Sequence, residues 1–274
     1  LELDSVNSYD VFIDNGSKVP ADHRKIRVHL VFDVKHDGRH KARLVADGHL
    51  TDVPLESVYS GVVSLRGIRI LVFLAELNQL ETWATDIGNA YLEAVTSEKL
   101  YIIAGGEFGD LKGHVLIIHK ALYGLRTSGK RWHERLADCL RGLGFQPCIA
   151  APDIWLRPGQ NCYEYIGVYV DDLAIVAKDP QAIIDKLICV HKFKLKGTGP
   201  MSFHLGCDYK RDEHGTLCIS PTKYIAKVVD SYKQMFGCSP IGNVLSPLEK
   251  GDHPEMDMSE LLDTEGIERY QSLI

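Results

Sequence analysis

The spacing of apolar and polar positions predicts most of the elements. Residues 26–34 (IRVHLVFDV) are β-branched and aromatic, and RHKARLVA at 39–46 follows after HDG. That pattern predicts a hairpin turning at Asp37-Gly38. Residues 61–80 (GVVSLRGIRILVFLAELNQL) are apolar at helical spacing and predict a buried helix in spite of Gly67. Strands are expected at 82–87, 99–103 and 114–119, and a short helix at 88–94. Residues 127–143 predict an amphipathic helix, with Trp132, Leu136, Leu140 and Leu143 on one face and Gly144 ending it. Apolar strands at 163–170 and 173–177 flank Asp171-Asp172, and a helix over 180–191 opens on Pro180. A second hairpin is expected from 202–209 and 215–220, and a helix over 221–236 with Pro221 near its first turn. After Pro247 the chain turns acidic and then helical. Helices and strands mix without regular βαβ alternation, so the expected fold class is α+β.

At 274 residues, 45% of them hydrophobic and 25% charged, the composition is that of a globular chain of one or two domains. That excludes a disordered, collagenous or disulfide-scaffold protein. No run of about 18 apolar residues occurs, so no membrane span is expected. LELDSVNSYD lacks the basic and then apolar regions of a signal peptide, and a start at Leu1 suits a fragment. The seven cysteines are odd in number and scattered without CxxC, and read as reduced thiols. The net charge of −6 is an uneven average. Residues 246–274 hold eight acids and two bases, which is the entire excess. Residues 23–49 and 110–145 each hold seven Lys/Arg against three acids. These are either a polyanion track or two solvated faces.

The candidate chemistry lies in the acids. Tyr169-Val170-Asp171-Asp172 puts two adjacent carboxylates between apolar strands. Buried there they repel one another and lose hydration. A divalent cation such as Mg²⁺, held by oxygen ligands on a tight turn, resolves the conflict. A shuffled chain would show Tyr-x-Asp-Asp about 8% of the time, so the tetrapeptide alone also fits a solvated turn. A two-metal phosphoryl-transfer site needs a further carboxylate. Asp86 is the candidate, at a strand end after Thr82-Trp83-Ala84-Thr85; it equally suits the N-cap of 88–94.

Six motifs in order resemble the reverse transcriptases of copia-type retrotransposons. They are KARLVADG (41–48), TDIGNAYLEA (85–94), KALYGLRTSGKRW (120–132), YVDD (169–172), FKLKGTGPMSFHLGCDY (193–209), and SPTKYI (220–225) with RYQSLI (269–274). The resemblance implies a right-hand polymerase fold whose antiparallel palm sheet is backed by helices. It places the fingers mostly in 1–85, the palm in 86–208 with finger elements near 100–125, and a thumb-like region in 209–274.

It implies RNA-directed DNA polymerisation: addition of dNTPs to a primer 3′-OH on an RNA or DNA template, with two Mg²⁺ or Mn²⁺ ions. Asp86, Asp171 and Asp172, with the Ile87 carbonyl, would hold the metals. Lys41 and Arg43 would hold the triphosphate. Tyr91 would be the steric gate against a 2′-OH, and Gly124, Leu125 and Arg126 would lie near the nascent base pair. Phe203, His204, Leu205 and Gly206 would form the primer grip. Lys130 and Arg131 would contact template phosphates, and Lys196 would protonate the leaving pyrophosphate. The parent element would be a polyprotein that also carries RNase H and integrase, acting inside the cell in cytoplasmic virus-like particles or in the nucleus.

The departures are Gly88, where the commoner pattern has Lys; Thr127, Ser128, Gly129 and Lys130, where it has Gln-Ala-Pro-Arg; and Asp47, where it has Lys or Arg. None removes a metal ligand. The missing Gln puts one nucleotide contact in question. Two rival functions stay open: a catalytically silent nucleic-acid-binding remnant, and a carboxylate-metal phosphohydrolase built on the same three acids. His204, Cys207, His214 and Cys218 have knuckle-like spacing. A continuous strand over 202–209 would send residues three apart to opposite faces. Trp83 and Trp132 read as core anchors.

Overall fold

The computed structural model describes residues 2–34, 40–54, 57–240, 242 and 258–273. The expected turn at Asp37-Gly38 and the acidic stretch 246–257 lie outside the described residues. The chain divides into two compact units, Leu1–Met201 and Ser202–Ile274. The first holds α1 (Glu2–Ser8), β1 (Phe12–Asp14), β2 (Arg24–Lys25), β3 (Val28–Val34), β4 (His40–Ala46), α2 (Leu65–Asn78), β5 (Glu81–Ile87), β6 (Leu100–Ile103), β7 (Val115–Ile118) and α3 (Ser128–Gly142). It continues through β8 (Gln146–Pro147), β9 (Ile154–Pro158), β10 (Tyr163–Tyr169), β11 (Asp172–Ala177), α4 (Pro180–Cys189) and β12 (Leu195–Pro200). The second holds β13 (Phe203–His204), β14 (Cys207–Arg211), β15 (Leu217–Ser220), α5 (Thr222–Phe236) and α6 (Thr264–Leu273). Helix and strand mix as an α+β fold does.

The main sheet of the first unit is antiparallel, in the order β12-β5-β11-β10-β9-β8. The pleat sends alternate residues to opposite sides. On one side Ile166, Val168, Leu173 and Ile175 share a core with Trp132, Leu136 and Leu140 of α3 and Ile183 and Leu187 of α4. On the other side Gly167 faces α2 so closely that a methyl group there would sit 2.9 Å from Leu71 Cδ1. Helices thus cover both faces, which is why LAIVA at 173–177 is apolar at every position.

Two expectations shift for local reasons. The helix expected over 61–80 begins at Leu65, where the Ser64 hydroxyl accepts from the Gly67 N–H at 3.0 Å. It is not buried all round: Ile68, Leu71, Val72 and Ala75 are inside, while Phe73 and Leu77 are 63% and 67% exposed. The sheet can cover only one side of it. The Gly197-Thr198-Gly199 stretch, which reads as a turn, is a bulge inside β12. Lys196 pairs with Asp86 and Gly199 with Ala84, so one extra residue is accommodated. α3 does end at Gly144 (φ +87°), and the Phe145 N–H closes onto the Leu140 carbonyl at 3.0 Å, the arrangement of a Schellman motif.

A second core joins the four-stranded sheet β1-β7-β6-β2 to the β3–β4 hairpin through Val6, Ile26, Leu44, Ala46, Leu116 and Leu122. The hairpin is tied at its base to residues 121–126. The Ala46 N–H donates to the Tyr123 carbonyl at 2.7 Å. Gly124 sits at φ +88° with no room for a side chain, since a Cβ would lie 2.2 Å from the Ala46 carbonyl oxygen.

In the second unit Leu205 and Gly206 both have positive φ (47° and 79°). They form a two-residue turn of the type I′ kind between β13 and β14, so 202–209 is a hairpin and not one strand. His204 lies opposite Cys207, and Cys218 lies opposite Lys210, three residues beyond Cys207 on β14. Cys207 and Cys218 therefore project from opposite faces, and that register keeps Cys218 away from the His204–Cys207 pair. The seven cysteines are free thiols. No helix among the described residues is long and apolar enough to cross a membrane.

Gly124→Ala forces an unfavourable φ and a backbone clash at the base of the hairpin. It is expected to lower stability by at least about 2 kcal/mol. A urea midpoint equal to the parent's would show that the hairpin is not anchored there.

Candidate active site

β10 and β11 stop pairing at Tyr169 opposite Asp172, which leaves Val170 and Asp171 as a two-residue loop. Of the two, only Val170 has positive φ (56°), the sign pattern of a type II′ turn and a place glycine normally takes. A β-branched residue there costs about 1–3 kcal/mol, so the loop has to be held. The Asp171 carbonyl accepts from the Ile87 N–H at 2.8 Å. The Val170 carbonyl accepts from the Trp132 indole N–H at 2.8 Å. Asp86, just before Ile87, stands directly opposite Asp172, so their side chains share a face. The short helix Ala90–Glu93 begins after Asn89, and Asp86 is not its cap.

Burial, and then the charges of Asp171 and Asp86, push the Asp172 carboxyl from its ordinary 3.8 up to about 6. Carboxylates gathered at one strand end, with Asp172 partly buried beside two others, are a donor set that suits a hard divalent cation. The ligand shell is not preassembled: among the described residues no three His, Cys, Asp or Glu side chains already enclose a metal position.

Asp86 and Asp171 line a cleft of about 1270 Å³ together with Lys41, Arg43, Tyr91 and Lys196. Lys41 and Arg43 reach it from β4. The Arg43 guanidinium lies 5.7 Å above the Tyr123 ring, and the Tyr123 and Tyr91 rings are 5.1 Å apart. Burial first, and then the Asp171 charge, raise the Tyr91 hydroxyl pKa, while burial pushes Tyr123 up to about 12. Both phenols therefore stay protonated at neutral pH. Lys196 on β12 is opposite Asp86. A Cβ on residue 88 would lie 3.2 Å from Lys196 Nζ. Gly88 thus leaves space for an ammonium arriving from β12, where the commoner pattern puts a lysine just past the end of β5.

Other predicted residues lie elsewhere. Arg126 donates to the carbonyls of Gly48 (3.0 Å) and His49 (2.8 Å), and with Gly124 it ties the base of the β3–β4 hairpin to the 121–126 segment. Lys130 and Arg131 pair with Glu134 at 3.8 and 2.9 Å, and Arg131 also reaches Ser97. Neither lines the cleft. In the second unit, Phe203 is half-exposed with Lys223 Nζ 5.2 Å over its ring. His204 is buried, and burial pushes its pKa down to about 4. That turn presents the Phe203 ring and backbone, not the imidazole.

The cleft residues that sequence reasoning missed include Tyr123, Glu2 and Ser5. Tyr123 was visible only as a letter in KALYGL. Residues 2–8 show no pattern that predicts a helix beside Leu44 and Asn89, yet the Glu2 carboxylate accepts from the Leu44 N–H at 3.2 Å and Ser5 from the Asn89 amide at 2.8 Å.

Fold and cleft define a mixed helix-and-sheet domain with acids and cations gathered in one cleft. A family model described as reverse transcriptase (RNA-dependent DNA polymerase) matches residues 9–246. The chain belongs to that family, in its copia-type branch. It is 28% identical over 242 residues to the retrovirus-related Pol polyprotein from transposon TNT 1-94 of Nicotiana tabacum, covering 84% of this chain and 18% of that protein. The Pol polyprotein from transposon RE1 of Arabidopsis thaliana is 27% identical over 217 residues, or 77% of this chain and 15% of that protein. The transposon Ty1-GR1 Gag-Pol polyprotein of Saccharomyces cerevisiae is 31% identical over 182 residues, or 64% and 10%. The chain therefore spans less than about a fifth of the length of these curated relatives.

A carboxyl whose pKa rises on folding holds its proton more tightly in the folded state. It favours the fold at low pH, and that contribution is lost as pH rises from about 4 to about 6. Asp172→Asn is expected to be more stable than the parent at pH 7.5, by about 1 kcal/mol after solvent screening. The gap should close at pH 4. Melting curves check this, and a gap that does not change with pH would refute the raised Asp172 pKa.

Proposed function

We propose that this chain is the template-directed polymerising segment of a retrotransposon polyprotein, adding dNTPs to a primer 3′-OH on an RNA or DNA template. One observation carries the reading: a single cleft gathers Asp86 and Asp171, the cations Lys41, Arg43 and Lys196, and the Tyr91–Tyr123 pair. A phosphohydrolase of small esters has no use for the aromatic pair or for a basic strand along the cleft. We assign the main sheet with its helices as the palm. The β3–β4 hairpin and the four-stranded sheet are assigned as fingers, and the second unit as a thumb-like region.

Asp86, Asp171 and Asp172, with the Ile87 carbonyl, would hold two Mg²⁺ or Mn²⁺ ions. Bound there, the ions would supply a lowered 3′-OH pKa and charge neutralisation on the transferring phosphate. Lys41 and Arg43 hold the triphosphate from β4, where the tie through Gly124 and Arg126 keeps the strand from yielding to the pull of the phosphates. The Tyr91 ring, backed by Tyr123, occupies the space a ribose 2′-OH would need. Lys196 hands a proton to the leaving pyrophosphate. Phe203 and the backbone of the 205–206 turn take the primer, and the relatives' Pol names support further polyprotein domains as partners.

Primer extension on an RNA template with a DNA primer, dNTPs and Mg²⁺ or Mn²⁺ tests this. The parent is expected to extend, and Asp171→Asn to lose at least about a hundredfold in rate. Binding of primer–template without extension points to a silent binding domain, and phosphate release from small esters without template to a hydrolase. In the same assay Tyr91→Ala is expected to raise rNTP use relative to dNTP about tenfold or more. An unchanged ratio would remove Tyr91 from the gate.

A further inference from the structure

We propose that Trp132 is a positioning residue for Asp171, acting through its hydrogen bond to the Val170 carbonyl. The proposal rests on the metal-binding role given above to Asp171. Trp132 is 2% exposed on α3, and its ring packs edge-on against Phe193 at 5.7 Å. Packing alone would make it a core anchor. The indole N–H adds a direction, ending on Val170 at 2.8 Å.

The Asp171 Cα is bracketed by two backbone carbonyls. The one before it is held by Trp132 from α3, and the one after it by the Ile87 N–H at the end of β5. With both peptide planes fixed from separate elements, the Cα–Cβ bond of Asp171 has one direction, and only its side-chain torsions remain free. The tether matters because Val170 sits at φ 56°, a conformation a β-branched residue leaves when it can. Relaxing it rotates the 170–171 peptide and swings the carboxylate. A cavity of about 10 Å³, lined in part by Tyr91, Trp132 and Val170, lies beside the bond.

Trp132→Phe keeps a large ring in the core and removes the donor. Mn²⁺ affinity, titrated by electron paramagnetic resonance, is expected to weaken about tenfold in the intact chain. The kcat of primer extension should fall by a similar factor, with the KM for dNTP within about threefold of the parent. Glycine accepts positive φ without strain, so the same substitution in a Val170→Gly background should cost less than half as much on a logarithmic scale. Parent-like Mn²⁺ binding and kcat in Trp132→Phe overturn the proposal. So does an equal loss in both backgrounds, which would mark a packing role only. A parent that binds no Mn²⁺ overturns the proposed function and this inference with it. A parent that binds, with a variant that binds equally, overturns the inference alone.

Discussion

The pairing of β5 with β11 puts Asp86 opposite Asp172 and brings Asp171 to the same strand ends. Like charges so placed repel, and on a flexible segment they would move apart. Here they cannot, because Leu173, Ile175 and Ala177 of β11 are buried against α3 and α4 while α2 packs on the other face of the sheet. The hydrophobic effect on both faces sustains an electrostatically unfavourable edge. Burial first, and then the charges of Asp171 and Asp86, raise the Asp172 pKa there. The strained Val170 is a second cost at the same corner, offset by the bonds from Trp132 and Ile87.

The rest of the cleft is arranged around that corner by backbone ties. Gly48 and Gly124 allow the end of β4 and the 121–126 segment to meet without side chains between them, and Arg126 closes the junction. A residue in a recognisable motif can therefore serve by holding a cleft-lining strand in place. Lys196 and Gly88 make the complementary point. A departure from the commoner pattern on one strand is matched by a cation entering from its neighbour.

Much of the fold was legible along the chain. The β-branched and aromatic run 26–34 followed by HDG marked the β3–β4 hairpin, the apolar run marked β11, and Trp132, Leu136 and Leu140 marked the inner face of α3. Gly144 marked its end, because only a left-handed residue closes that Schellman turn. Three features misled. The apolar outer face of α2 resembled a buried helix. The glycines of β12 looked like a turn because a bulge uses the same residues. The I′ turn at Leu205-Gly206 was hidden because leucine rarely takes positive φ.

The order of the motifs was enough to show the family, since each depends on local residue types and the chain keeps them in sequence. The carboxylates, the basic strand and Tyr91 were all legible as candidates. Which of them share a cleft was decided only by the tertiary structure, because β4, β5, β11 and β12 are far apart in sequence and meet through strand register and packing on two helix layers. That assembly brought Tyr123, Glu2 and Ser5 to the cleft and turned Arg126 to structural work. It also directed the Trp132 N–H at the Val170 carbonyl. No spacing rule along a chain encodes these outcomes, because each is a distance between segments that only the packed core holds still.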